Sequence, residues 1–259
     1  MQASRRRLEE LLWVFGLSRV TAPLWEKLRG GKAMRQSRLM RDFYSELLSK
    51  GALVFDIGAN MGTMTKVFLS LGARVVAVEP NPDCARHIEL TTSGDSVEVL
   101  QAAAGETNGL AVLKVSDRKD KMSSLSDEWR DAVSRENADY AGMWTREVTV
   151  PTITLDALIQ RYGEPWYIKI DVEGYEERVV KGLSQCPSLL SFEFNRVFLE
   201  PALRALDTGI FDDATFNYTL VDPAQFELRE WVGRDEVKSA IRGLGDGPGL
   251  GDIFVRRRS

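Results

Sequence analysis

Val54-Phe55-Asp56-Ile57-Gly58-Ala59-Asn60-Met61-Gly62 is the stretch that decides the fold. An apolar run carries one acidic residue, a glycine turn follows, and a helical stripe of Met64, Val67, Phe68 and Leu71 begins just beyond. Strand, glycine turn and helix in that order open a parallel α/β sheet. Bare backbone at Gly58 and Gly62 allows a ligand to come close at the carboxyl edge of the strand. The two glycines lack the G-x-G-x-x-G spacing of a phosphate-binding turn.

The same rhythm runs through the rest of the chain. Apolar runs at 52–57, 74–78, 97–102, 166–170 and 189–194 read as strands, and 82–90, 155–162 and 175–183 as helices between them. Strands apolar on both faces belong to a parallel sheet covered on both sides. The ending differs: strands at 218–221 and 253–255 have no strongly periodic crossover between them, which predicts an antiparallel hairpin at one sheet edge. Before the sheet, Leu8, Leu11, Leu12 and Phe15, then Met40, Phe43, Tyr44 and Leu47, recur at helical spacing, with Pro23 and Gly30-Gly31 between them and Gly51 placed to end the second helix. This predicts an N-terminal helical cap over 1–50 and a main domain over 51–259. Residues 116–147 are polar, with Trp129 and Trp144 interleaved, and read as a long functional insertion. Alternate glycines over 243–251 read as a mobile hairpin loop.

Length and composition narrow the class. The chain has 259 residues, 44% apolar and 28% charged, enough for a packed core and unlike disordered, collagenous or coiled-coil sequences. With 34 basic against 38 acidic residues, no nucleic-acid partner is expected. Two cysteines far apart, Cys84 and Cys186, fit reduced thiols in a cytoplasmic protein. The Arg5-Arg6-Arg7 start lacks the apolar core and cleavage site of a signal peptide. No run approaches the about 18 apolar residues of a membrane span. A single histidine, His87, and no close cysteine pair argue against zinc, and no metal site is expected.

Three strand ends carry the chemistry. Asp56 would repel a pyrophosphate but suits a ligand with a cationic head, such as the sulfonium and ammonium groups of S-adenosylmethionine (SAM). Glu79 ends the second strand in Val75-Val76-Ala77-Val78-Glu79-Pro80-Asn81, where a carboxylate can accept hydrogen bonds from both ribose hydroxyls of a nucleoside. NAD and SAM sites share that feature. The fourth strand ends in Tyr167-Ile168-Lys169-Ile170-Asp171-Val172-Glu173-Gly174-Tyr175-Glu176. Lys169 could pair with Asp171 and Glu173, a salt-bridged strand end. Alternatively Asp171 or Glu173 orients or deprotonates an acceptor hydroxyl while Lys169 stabilises developing negative charge. Glu193 and Asn195 end the next strand and are expected to face the same cleft.

The succession VFDIGANMG, VVAVEPNP, VTVPTITLDALI, YIKIDVEGYE and SFEFN resembles the FkbM-type SAM-dependent methyltransferases over about residues 52–255. The resemblance implies a Rossmann-like class I fold, with a mostly parallel seven-stranded sheet, helices on both faces and an antiparallel last strand. It implies O-methylation of a small molecule or sugar. Carried over motif by motif, it sets Asp56, Gly58, Ala59, Asn60 and Gly62 at the methionine end of SAM, and Glu79, Pro80 and Asn81 at the ribose. Gln101, Ala102 and Ala103 fall near the adenine, and Asp171 near both cofactor and acceptor. Ser123-Ser124-Leu125 also resembles a recurring family element. Two other readings stay open: an NAD-dependent oxidoreductase, disfavoured by the glycine spacing, and a non-catalytic SAM-binding scaffold, disfavoured by the intact KIDVEG cluster. The N-terminal helices could contact a second copy of the chain or close over the acceptor.

Overall fold

The computed structural model describes residues 31–116, 122–220, 225–245 and 249–258. The first expected helix, with Leu8 to Phe15, and the charged residues Asp117, Lys119, Asp120 and Lys121 lie outside these residues. In chain order the described elements are α1 (Gly31–Leu47), β1 (Leu53–Ile57), α2 (Thr63–Ser70), β2 (Arg74–Val78), α3 (Pro82–Thr91), β3 (Val97–Leu100), β4 (Ala103–Ala104), β5 (Gly109–Ser116), β6 (Ser123–Ser124), α4 (Asp127–Glu136), β7 (Trp144–Ile153), α5 (Leu155–Tyr162), β8 (Tyr167–Ile170), α6 (Glu176–Val180), β9 (Leu189–Asn195), α7 (Leu199–Ala205), β10 (Ala214–Leu220), α8 (Arg234–Arg242) and β11 (Leu250–Arg257).

Seven strands form one sheet in the order β10-β11-β9-β8-β1-β2-β3. From β3 to β9 all neighbours are parallel, and β11 runs antiparallel to both β9 and β10. This is the expected doubly covered, mostly parallel sheet with an antiparallel last strand. Alternation along each strand divides the core. Phe55, Ile57, Val76, Ile168, Ile170 and Phe192 face α5 to α8 on one side. Val54, Val75, Tyr167 and Phe254 meet Phe43 and Tyr44 of α1 and Val67 and Phe68 of α2 on the other. Burying each such side chain stabilises the fold by about 1.5–3 kcal/mol. α1 is tied down further where Trp166 Nε1 donates to the Leu47 carbonyl at 2.8 Å.

Three details differ from the sequence reading. β10 and β11 pair antiparallel at the sheet edge as expected, with β10 outermost, but a helix, α8, lies between the two strands in the chain. Its charged sequence hides two buried anchors four residues apart, Val237 and Ile241. α1 ends at Leu47, ahead of Gly51, and begins at Gly31, which was expected to break the chain. Gly51, at φ +83°, instead turns the chain into β1.

The third difference is the 116–147 stretch, expected as a polar insertion. Its described residues help form a second, four-stranded sheet of order β4-β7-β5-β6, with α4 between β6 and β7. Leu113, Val115 and Val150 make its core, while Leu110 and Val112 on the opposite face are exposed. Ser126 caps α4 by accepting from Trp129 N–H at 3.1 Å, and Trp129 and Val133 bury its inner face. No helix among the described residues is long and apolar enough to cross a membrane.

Candidate functional site

The carboxyl ends of β1, β2, β8 and β9 converge, as parallel topology requires, and the loops leaving them form the site. After β1, Gly58 has φ +80°, and a Cβ there would lie 1.8 Å from the Asp171 carbonyl oxygen. Only a bare backbone allows the β1 and β8 loops to touch. Asn60 (φ 48°) and Gly62 (φ 74°) continue the left-handed turn into α2. Asp56 is buried, and its Oδ2 accepts from Thr65 Oγ1 at 2.6 Å. Burial raises its carboxyl, with the Thr65 hydrogen bond acting in the opposite direction.

After β2, both oxygens of Glu79 are held by backbone amides. Asn60 N–H donates to Oε2 at 2.7 Å, and Asn81 N–H donates to Oε1 at 2.8 Å. Burial pushes this carboxyl up to about 7 in spite of the two donors. Asn81 accepts from Asp83 N–H through its side chain and so caps α3, and its Nδ2 donates to Ser123 Oγ at 3.2 Å. The second sheet is thereby pinned to the Glu79 turn.

At the end of β8, Lys169 Nζ donates to Asp171 Oδ2 at 2.8 Å and stands 4.0 Å from Asp252 Oδ1 on β11. Burial opposes the ammonium charge, but Asp171 and Asp252 outweigh it and hold Lys169 well above the ordinary lysine value. Next comes a tight loop with Glu173 at φ 55° and Gly174 at φ 87°. A Cβ on Gly174 would fall 2.3 Å from Trp129 Cβ, so α4 packs directly onto this loop. Glu176 Oε1 accepts from the Val172 and Gly174 amides at 3.2 and 3.1 Å, and burial pushes its carboxyl up to about 7. Ser124 Oγ donates to the Glu173 carbonyl at 2.7 Å. Glu193, beyond the loop, is raised well above the carboxylate range by burial and by Asp171, Glu173 and Glu176.

Two adjoining clefts open over these loops. One, of about 740 Å³ counted to its open mouth, is lined by Gly58, Asn60, Glu79, Pro80, Ala103, Ala104, Leu113, Ser123, Ser124, Leu125, Asp171, Val172, Glu173, Tyr175 and Glu193. The other, of about 560 Å³, is lined by Asp56, Gly58, Ala59, Asn60, Met61, Thr63, Met64, Lys169 and Asp171. Gly58, Asn60 and Asp171 belong to both.

Five residues expected at the site line neither cleft. Gly62 faces Ile88, whose Cγ1 would be 3.0 Å from an added Cβ, so its glycine serves the left-handed turn and the α2–α3 contact. Asn81 is fully buried as a cap. Gln101 is exposed, while Ala102 is buried in the main core. Asn195 accepts from Val197 N–H and caps the turn Arg196–Phe198. Leu113, Asp252 and Glu176 carry no sequence signal of a place at the site, and Ser123 and Ser124 are marked only by the family resemblance. Ser123 and Ser124 lie on a two-residue strand, and Leu113 on β5, where the exposed Leu110 and Val112 blur the alternation, so neither has a clear periodic signal. Asp252 is a lone carboxylate between apolar residues, a signal that becomes meaningful only once β11 is known to lie beside β9. Glu176 opens α6, yet its side chain folds back to hold the loop.

A family model of the methyltransferase FkbM domain matches residues 56–214, more than half of the chain. Hexuronic acid methyltransferase AglP of Haloferax volcanii is 28% identical over 146 residues, 54% of this chain and 53% of that protein. The chain thus spans about half the length of the curated relative it matches. Among solved structures, precorrin-6y C5,15-methyltransferase from Geobacter metallireducens GS-15 aligns with a TM-score of 0.40 at 11% identity, covering 88% of this chain and 91% of that one. A TehB-like SAM-dependent methyltransferase from Corynebacterium glutamicum gives a TM-score of 0.43 at 9% identity, over 95% and 99%. The family match takes in the Gly58 turn, the Glu79 strand end, the Lys169–Asp171 pair and Glu193, and this chain belongs to the FkbM methyltransferase family, whose members use SAM.

Proposed function

We propose that the chain transfers the methyl group of SAM to a hydroxyl of a small molecule or sugar, with the cofactor in the 740 Å³ cleft. The observation that carries this is the Glu79 carboxylate, presented to that cleft with each oxygen held by a backbone amide. Each oxygen keeps accepting capacity for one hydroxyl of a ribose diol. The residues fit the cofactor in charge as well as in shape. Ala103, Ala104, Leu113 and Pro80 give an apolar wall for adenine, and the carboxylates of Asp171, Glu173 and Glu193 suit the cationic end. Gly58 and Asn60 would meet the methionine portion along the β1 loop, with Asp56 fixing that loop from beneath.

When bound, SAM supplies an electrophilic methyl group on a sulfonium. The work of the chain is to align the acceptor oxygen with that methyl, exclude water and assist proton loss. Asp171 is held by Lys169 on the wall shared by both clefts, so it can orient an acceptor hydroxyl entering through the second cleft. Lys169 then balances negative charge as the hydroxyl gives up its proton. Asp56, Met61 and Met64 offer that acceptor one polar and two apolar contacts, a combination that suits the two faces of a sugar ring. AglP, named for methylation of a hexuronic acid, supports a sugar acceptor.

The test is titration calorimetry with SAM and with NADH, followed by S-adenosylhomocysteine release across a panel of hexoses, hexuronic acids and small hydroxylated compounds. Binding of SAM but not NADH, with turnover on a member of the panel, is expected. Binding of NADH alone would return the chain to oxidoreductase chemistry. SAM binding without turnover on any acceptor would favour a scaffold.

A further inference from the structure

Glu193 occupies a crowded electrostatic position. It faces the cleft together with Asp171 and Glu173, and its directly opposite neighbour across the β9–β11 ladder is Asp252. Opposed residues on an antiparallel pair share a face, with Cβ atoms about 5 Å apart, and like charges there repel. Glu176, on α6 beneath the loop, and Glu79, across the cleft, add further carboxyl groups. Among the described residues the cation of this cluster is Lys169 on β8, whose ammonium is bound to Asp171 and flanked by Asp252. Among the described residues Glu193, Asp171 and Asp252 outnumber Lys169, an excess of negative charge that a proton or a bound cation relieves.

We propose that Glu193 carries a proton in the free protein and gives it up to solvent when a cationic methyl donor enters the cleft, so that cofactor binding is coupled to proton release. This rests on the SAM reading above and deepens it. The donor's positive charge takes over the role of the proton in balancing Asp171 and Asp252. The carboxylate left behind is then available to take the proton of the acceptor hydroxyl. Glu193 thereby becomes a base only in the presence of the methyl donor. The demethylated product has a neutral sulfur, and Glu193 keeps its proton beside it.

The experiment is titration calorimetry of the full chain with SAM and with S-adenosylhomocysteine, near neutral pH, in phosphate and in Tris. These buffers differ widely in ionisation enthalpy, so a released proton appears as a buffer-dependent heat. For SAM we expect a clear buffer dependence and an affinity that strengthens with pH by up to about tenfold per unit. S-adenosylhomocysteine should show a much smaller buffer dependence. Glu193→Gln, which copies the protonated shape, should bring the buffer dependence of SAM binding down to that of S-adenosylhomocysteine, whereas Glu176→Gln should keep the wild-type difference between the two ligands. Buffer-independent SAM binding by the wild type overturns the proposal while leaving the cofactor assignment standing. So does loss of the difference in Glu176→Gln with its retention in Glu193→Gln. Absence of SAM binding overturns both readings.

Discussion

The ammonium of Lys169 sits 2.8 Å from the Asp171 carboxylate, in the cleft lined by both, and Asp171 also reaches the wall shared with the adjoining cleft. The pair fixes a carboxylate where an acceptor hydroxyl has to be held. Asp171→Asn keeps the shape and removes the charge, while Asp252 still balances Lys169. Turnover should fall by about 10²-fold or more, a larger loss than the weakening of SAM binding that removing the charge also brings. Steady-state kinetics beside calorimetry checks this, and full turnover in the variant would remove Asp171 from the chemistry.

Glu79 is the anchor for the nucleoside. Hydrogen bonds to a charged group contribute about 1.5–3 kcal/mol, so Glu79→Gln should weaken SAM binding by at least about tenfold. The substitution leaves an oxygen able to accept from one of the two backbone amides, and the fold should persist. Unchanged calorimetric affinity would show that the ribose binds elsewhere.

Gly58 and Gly174 are structural requirements of the site. Each has a positive φ, and each faces an atom that an added Cβ would strike, the Asp171 carbonyl in one case and Trp129 in the other. Gly58→Ala and Gly174→Ala should each cost at least about 2 kcal/mol in urea-unfolding stability. A loss below about 0.5 kcal/mol in either would contradict the tight loop contacts.

Glu176 predicts a pH dependence of stability. Burial lifts its carboxyl up to about 7 in the folded protein. The folded state therefore holds a proton that the unfolded chain releases at lower pH. That contribution is fully present below the unfolded value and is lost as pH rises through about 7. Relative to wild type, Glu176→Gln should show a shallower decline in stability between about pH 5 and about pH 8, by up to about 3 kcal/mol. Parallel unfolding curves across that range would contradict the buried, proton-holding carboxyl.

The main sheet was legible because its central strands are apolar on both faces and separated by helices with clear stripes; Val54 to Ile57 and Tyr167 to Ile170 announce themselves. The second sheet was not. Leu110 and Val112 of β5 are exposed, so burial and hydropathy disagree there, and β4 and β6 are two residues each. α8 escaped notice because only Val237 and Ile241 anchor an otherwise charged helix. At the site, residues at the ends of β1, β2, β8 and β9 could be read because parallel strands bring their carboxyl ends together. The Asp252 contact depends on β11 crossing between β9 and β10, and the Trp129 contact on α4 folding back over Gly174. Neither is encoded in local spacing.

The central claim is that the Glu79–Gly58–Asp171 cleft seats SAM. A crystal structure of the chain with S-adenosylhomocysteine tests it most directly. The account predicts both ribose hydroxyls on the Glu79 carboxylate, the adenine against Ala103, Ala104 and Leu113, and the sulfur turned toward Asp171. Density for the ligand in another crevice, or with its ribose away from Glu79, would contradict it.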